Sequence, residues 1–338
     1  MCYYRCSFKN YIVRLWIPYS LEFQNLFVSI IIIRKDPHEQ TCKRDMSESK
    51  RPFIISTDNT ADFPDEFIKE NNIPIHYLHY IVDGETYGDD KNLDIKDFFN
   101  RMRNGATVST FATNPDKSKE IFRKQLSEGY DILHIGFSSG LSSAYSNSAT
   151  AAKEVLADFP DGRIEVIDSL CASGGQGLYV WYALKMQKEG KSMDEIIKWL
   201  NDYKLNLCHT FTVDDLAYLH RGGRISKTVK VFGTLLNIKP VLHVDNEGKL
   251  VPVMNVRGRK KSLLSLVDQM EEHLGSYADK NELIYITHGD CVEDAEFVRD
   301  EIQKRFGYKN FMISHLCPTI GSHAGPGTIA LFYLGKYR

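Results

Sequence analysis

Nothing in this 338-residue chain supplies a C-x-x-C pair, and its seven cysteines are scattered and odd in number. A disulfide framework or thiolate zinc site is therefore not indicated, and free thiols in a reducing cytoplasm are expected. An excess of basic residues is also missing. Lys+Arg total 42 against Asp+Glu 44, a formal charge of −2, so no chain-wide nucleic-acid surface is expected. Long apolar runs are missing too. The longest uncharged run of the first fifty residues, Phe23 to Ile33, is far below the ~20 residues a membrane span needs, so no stable membrane insertion is expected. That segment has no secretory cleavage pattern either. Met46 is read as the natural start, and residues 1–50 as a poorly ordered extension. Internal repeats and low-complexity tracts are absent from the sequence.

What is present alternates. From Arg51 onward short β-rich runs are separated by amphipathic stretches, with strands expected at 53–57, 73–82, 132–135 and 164–167. Helices are expected at 94–103, 117–128, up to 156, 178–188 and 193–203. Such alternation predicts an N-terminal domain, 51–205, with a parallel, Rossmann-like sheet. Ligands of such folds sit beyond the carboxyl ends of the strands, where Asp58, Ser138 and Asp168 fall. After residue 205 the texture changes. A strand and a helix capped by Asp214 precede Gly222-Gly223, and two alternating runs around Asp245-Asn246-Glu247-Gly248 read as a hairpin. Further strands at 283–288 and 328–334 flank a helix over 293–306. A C-terminal α/β domain, 206–338, with a partly antiparallel sheet is expected.

The stretch Gly136-Phe137-Ser138-Ser139-Gly140 fits G-x-S-x-G, the nucleophile elbow of serine hydrolases. A triad could be drawn from Ser138, Asp168 and His323. Against it, the chain has no His-Gly-Gly-Gly oxyanion loop, and one nucleophile leaves Ser139, Ser142 and Ser143 unexplained. Hydroxyls clustered at a helix start are instead suited to holding an anion. Other donors stand at element ends. Ser109, Thr110 and Thr113 precede a helix, Arg224 follows Gly222-Gly223, and His323 lies in a glycine-rich turn before the last strand. Arg257, Arg259, Lys260 and Lys261 gather where a helix begins, against its dipole, as at a phosphate or acidic-partner site. His76 and His79, three apart on one strand, would face opposite ways, so no metal site is expected.

With those stretches identified, the chain from about Phe53 to its end resembles the DegV family. The matching segments are "TDNTAD", "SSGLSSAY", "DDLAYLHRGGRIS", "GTLLNIKPVL", "VRGRKK" and "HAGPGTIALFY", in family order over nearly the whole of that length. The resemblance implies a two-domain fold with one long-chain fatty acid buried between the domains. It implies a carrier rather than an enzyme, a subunit serving a separate ATP-using fatty acid kinase, with no cofactor beyond the lipid. By motif, Thr110, Ser142 and His323 would hold the carboxylate, with Ser109, Ser139, Arg224 and Arg257 on the acyl-phosphate or partner side. Two departures stand out: Ser109-Thr110-Phe111 replaces the usual Thr-Ser loop, and Asp58-Asn59 replaces Asp-Ser. Apolar residues at Leu178, Val180, Trp181, Val231, Phe232 and Leu235 are candidates for the tail's surroundings.

Overall fold

The computed structural model describes residues 51–226 and 237–338, together with three strands among the first 34 residues. Those three, β1 (Arg5–Phe8), β2 (Tyr11–Leu15) and β3 (Ile30–Arg34), pair antiparallel in chain order. They fall in one compact unit, Met1–Lys50; Arg51–Arg338 forms another.

The second unit opens on β4 (Phe53–Asp58), followed by α1 (Asp65–Glu70) and β5 (Ile75–His76), which pairs parallel to β4. The single strand expected over 73–82 breaks here. After Leu78 the chain enters a different, antiparallel sheet as β6 (His79–Val82), next to β7 (Glu85–Tyr87). The reason is distant in sequence. The Asn59 side-chain amide accepts the Leu78 N–H at 2.9 Å and donates to the Leu78 carbonyl at 3.0 Å, taking the place of a neighbouring strand. α2 (Ile95–Arg103) begins at Asp94, whose carboxylate accepts from the backbone of Lys96 and Asp97. β8 (Val108–Phe111) then pairs with the free edge of β6, so a stretch that could pass for a polar loop is a strand.

α3 (Pro115–Ser127), β9 (Asp131–Gly136), α4 (Ala144–Asp158) and β10 (Ile164–Asp168) complete a parallel sheet of order β10-β9-β4-β5. Every residue of β9 is buried, as a central parallel strand covered on both faces requires. α5 (Gly174–Lys188) and α6 (Met193–Asp202) follow, the latter started by a Ser192–Glu195 capping box.

The second sheet starts with β11 (Leu207–Thr212). α7 (Ala217–Arg221), the hairpin β12 (Ile238–Val244) and β13 (Leu250–Arg257), α8 (Arg259–Leu274) and β14 (Ile284–His288) come next. α9 (Val292–Phe306), β15 (Phe311–His315), α10 (Pro318–Ala324) and β16 (Ile329–Leu334) close the chain. The order is β13-β12-β11-β16-β14-β15, with only β14 and β15 parallel. Asp214 does not cap α7. It pairs with Lys239 at 2.7 Å, and Asp215 accepts the Ala217 N–H instead.

α5 joins the two sheets. Its Leu178, Tyr179, Val180 and Ala183 are fully buried in a core shared with Ile55, Leu133 and Ile135 of the parallel sheet and Leu207 and Phe332 of the mixed one. Residues 174–184 carry no charge on any side and are buried apart from Trp181, which leaves solvent mainly the last turn. α8 and α9 cover the other face of the mixed sheet.

Candidate functional site

A cavity with about 770 Å³ of empty space, counting its mouth, lies between the ends of the parallel strands and the inner face of the mixed sheet. Its lining, mostly apolar with a few convergent polar groups, is of the kind that small-molecule sites use. One wall comes from the β8 end (Thr110, Phe111, Ala112) and the serine segment (Phe137, Leu141, Ser142). The other comes from β11, β16 and α10, including Phe211, Ala330 and His323. Most of the surface is apolar. The exceptions at one end are Thr110, Ser142, Arg224 and His323.

Each of these is positioned by identifiable bonds. In β8 residues alternate, so Thr110 turns into the cavity wall while Ser109 is exposed. The Thr110 hydroxyl meets His323 Nε2 at 2.7 Å, a contact across 213 residues of chain. His323 stands on α10, a helix rather than the expected turn, started by Pro318 at its first position. Burial, with Arg224 nearby, pushes the His323 pKa down to about 4, so the ring is neutral at pH 7. Its Nδ1 is buried without a hydrogen-bond partner. Arg224 donates Nε–H to the Leu141 carbonyl at 3.2 Å and Nη1–H to the Gly222 carbonyl, which fixes the guanidinium against the serine segment. The Ser142 hydroxyl accepts the Ala144 N–H at 3.1 Å just before α4. That leaves its proton available to a ligand.

The serine segment is itself held from below. Asp58, fully buried at the end of β4, accepts the Phe137 N–H at 2.7 Å. Gln176 of α5 reaches the same carboxylate oxygen and the Ile135 carbonyl. Asp62, in a left-handed turn, accepts from the Ser173 hydroxyl and, at 2.9 Å, from the Cys317 N–H that begins α10. Burial raises the Asp62 pKa to about 7, against the lowering effect of those bonds. From sequence, Asp58 is expected at a ligand-facing strand end, whereas here it holds the serine segment and does not line the cavity; Asp62 is not singled out there, and the second Asp of "TDNTAD" is the available signal.

The hydrolase triad is not assembled. Ser138 is fully buried and donates to the Gly248 carbonyl of the hairpin turn at 2.8 Å. The Asp168 carboxylate accepts the N–H groups of Ser139 and Leu170, each at 3.1 Å. His323 pairs with Thr110 instead. A nucleophile needs its base within hydrogen-bond reach, and here the three have separate partners.

Other candidates lie outside the cavity wall. Ser139 and Arg257 are exposed. Arg259 forms ion pairs with Asp294 at 2.7 Å and Asp214 at 3.6 Å, and Lys260 lies over the Phe297 ring. Those partners account for two of the four cations at the start of α8. Leu178 and Val180 belong to the core and Trp181 to a separate surface groove, so none of them lines the cavity. Val231, Phe232 and Leu235 lie outside the described residues. His76 sits in β5 and His79 in β6, in different sheets, and no cluster of metal-ligating side chains occurs among the described residues.

Residues 52–336 match the family model described as an uncharacterised protein of the DegV family. A DegV domain-containing protein of Clostridium perfringens is 42% identical over 292 residues, covering 85% of this chain and 99% of its own. One from Lactococcus lactis is 36% identical, covering 84% and 98%. Among solved structures, DegV from Bacillus subtilis, described as a fatty acid binding protein, is 29% identical with a TM-score of 0.73, covering 85% of this chain and all of its own. A DegV family protein from Thermus thermophilus, described by its fatty acid binding, is 27% identical with a TM-score of 0.75 and covers 84% and 99%.

Proposed function

The chain belongs to the DegV family, and from that premise we propose that it binds one long-chain fatty acid in the cavity, carboxylate toward Thr110, Ser142, Arg224 and His323. The observation that carries this reading is the division of the cavity: Thr110, Ser142, Arg224 and His323 gather at one end, while the other lining hydroxyls, Ser173, Thr319 and Thr328, are already bonded to protein acceptors. Burying a palmitate-sized tail contributes roughly 10 kcal/mol before association costs, so the tail supplies affinity. A carboxylate left unpaired there would cost several kcal/mol, so the donors orient the head group and remove that penalty. Neutral His323 can donate one hydrogen bond, leaving Arg224 as the charge that meets the carboxylate. Solved relatives described as fatty acid binding support the ligand class.

The chain acts as a carrier rather than a catalyst, presenting the head group in the cytoplasm to a separate ATP-using kinase that forms the acyl phosphate. Arg257, exposed at the end of β13, is assigned to the partner side. Mass spectrometry of lipid extracted from purified protein should find about one fatty acid per chain. Delipidated protein that takes up no long-chain acid would overturn the reading. With a cognate kinase, Arg257→Ala should keep normal lipid content while turnover falls several-fold; equal turnover removes Arg257 from the partner surface.

A further inference from the structure

The end of the cavity away from the head-group donors is as defined as the mouth. Strand register gives the depth. Along β11 and β16 the residues facing the cavity are Phe211 beside Ala330, then His209 beside Phe332, one row being two residues, about 7 Å, from the next. The same face continues to Leu207 beside Leu334, but neither lines the cavity; both belong to the core packed around α5. The space therefore stops at the row of His209 and Phe332.

Two features make that row a fixed wall. The first is the start of α5. A Cβ on Gly175 would lie 2.1 Å from His209 Nε2, and one on Gly174 would lie 2.8 Å from the Phe332 ring. Only glycines let the helix close onto these rings so tightly. The second is the hydrogen bonding of His209. Its Nε2 receives the Ala172 N–H at 3.3 Å and its Nδ1 faces the Leu207 carbonyl at 3.1 Å, an arrangement that fits only the neutral ring with the proton on Nδ1. Both nitrogens are thereby committed to backbone, and the ring offers the cavity carbon surface alone. Beneath the row, the Arg338 side chain bonds the Leu207 and Asp245 carbonyls and the Cys171 sulfur, tying the floor to both halves of the unit.

We infer that His209 and Phe332 form the end wall against which the acyl tail stops, and that they set the chain length this protein accepts. The inference rests on the fatty-acid reading above. A methylene beyond the wall cannot be accommodated by a shift of α5, because the helix already touches both rings. Shortening a wall residue opens room for further carbons, and enlarging Ala330, one row nearer the mouth, removes room.

The test is a competition among straight-chain saturated fatty acids of graded length, presented together to delipidated wild type, His209→Ala, Phe332→Ala and Ala330→Leu, with the bound acids read by mass spectrometry. The expected result is a shift of the preferred length by about two carbons or more toward longer tails in the first two variants, and toward shorter tails in Ala330→Leu. Opposite shifts are not produced by a general loss of packing, so a poorly folded alanine variant leaves the Ala330→Leu arm decisive. Wild type that binds while Ala330→Leu, or both folded alanine variants, keep its length profile overturns the end wall alone. Wild type that binds no acid of any length overturns the fatty-acid reading and the wall with it.

Discussion

Buried ionisable side chains set the pH behaviour of this molecule. Burial pushes His323 and His288 down to about 4, and His76 and His209 well below the ordinary value. Unfolding returns each to about 6.5, so as pH falls below that value the unfolded chain takes up protons that the folded one refuses. Stability should drop as pH falls from 6.5 toward 4. Asp62 works in the other direction. Its folded value of about 7 lies above the 3.8 of the free carboxyl, so its contribution is complete below 3.8 and lost as pH rises to 7. Asn can accept the Cys317 N–H and donate to Ser173, so Asp62→Asn should fold. Relative to wild type, it should gain stability with rising pH by up to about 1.4 kcal/mol per pH unit across that window. Denaturant melts of both proteins at pH 5 and 7.5 measure this, and parallel profiles would refute it. Ser138 gives a simpler test: buried and bonded to a carbonyl, it should form no adduct with a fluorophosphonate probe. Labelling lost in Ser138→Ala would restore the hydrolase.

Among the elements, α5 is the one on which both sheets depend. A Cβ on Gly177 would sit 2.6 Å from the Ala61 carbonyl oxygen and 2.7 Å from the Tyr285 ring. In an exposed helix Gly→Ala is favourable by about 1 kcal/mol, but overpacking a core costs about 1–3 kcal/mol, more against backbone that cannot yield. Gly177→Ala should therefore lower stability despite better helix propensity, as chemical denaturation would register; an unchanged or raised midpoint contradicts it. This helix was legible from its apolar run, as were α2 from Asp94 and its 3.6-residue spacing, and the β12–β13 hairpin from its turn. Other features were not. The break between β5 and β6 is imposed by Asn59, whose effect on Leu78 is not local. β8 exists because β6 has a free edge, which no pattern within "TVSTF" records. α10 begins at Pro318 after Cys317, whose side chain makes no capping bond, and its glycine and small residues read as a turn.

On the scale of the whole molecule, residues 51–338 hold the cavity, all its polar donors and the family-matched segment. Removing residues 1–45 should leave the melting temperature and lipid uptake close to those of the full chain; a large drop would show that the segment stabilises the rest. Stripping the lipid should lower the melting temperature, with recovery that follows ligand concentration, because a ligand bound only by the folded state adds RT ln(1 + [L]/Kd). Most of the cavity's polar end was legible: Thr110, Ser142, Arg224 and His323 were picked out by residue type at element ends. Its walls were not, since Phe211, His209 and Ala330 come to line one cavity with Leu141 only through sheet packing. The Thr110–His323 contact has a temporal consequence. Its two partners lie 213 residues apart, so Thr110 is synthesised well before His323. Contacts of such separation carry the greatest loop-closure cost and form slowly. A nascent chain at ~10 residues per second completes its parallel sheet well over ten seconds before His323 leaves the ribosome. On the proposed function, lipid capture waits for His323, long after the parallel sheet has been made.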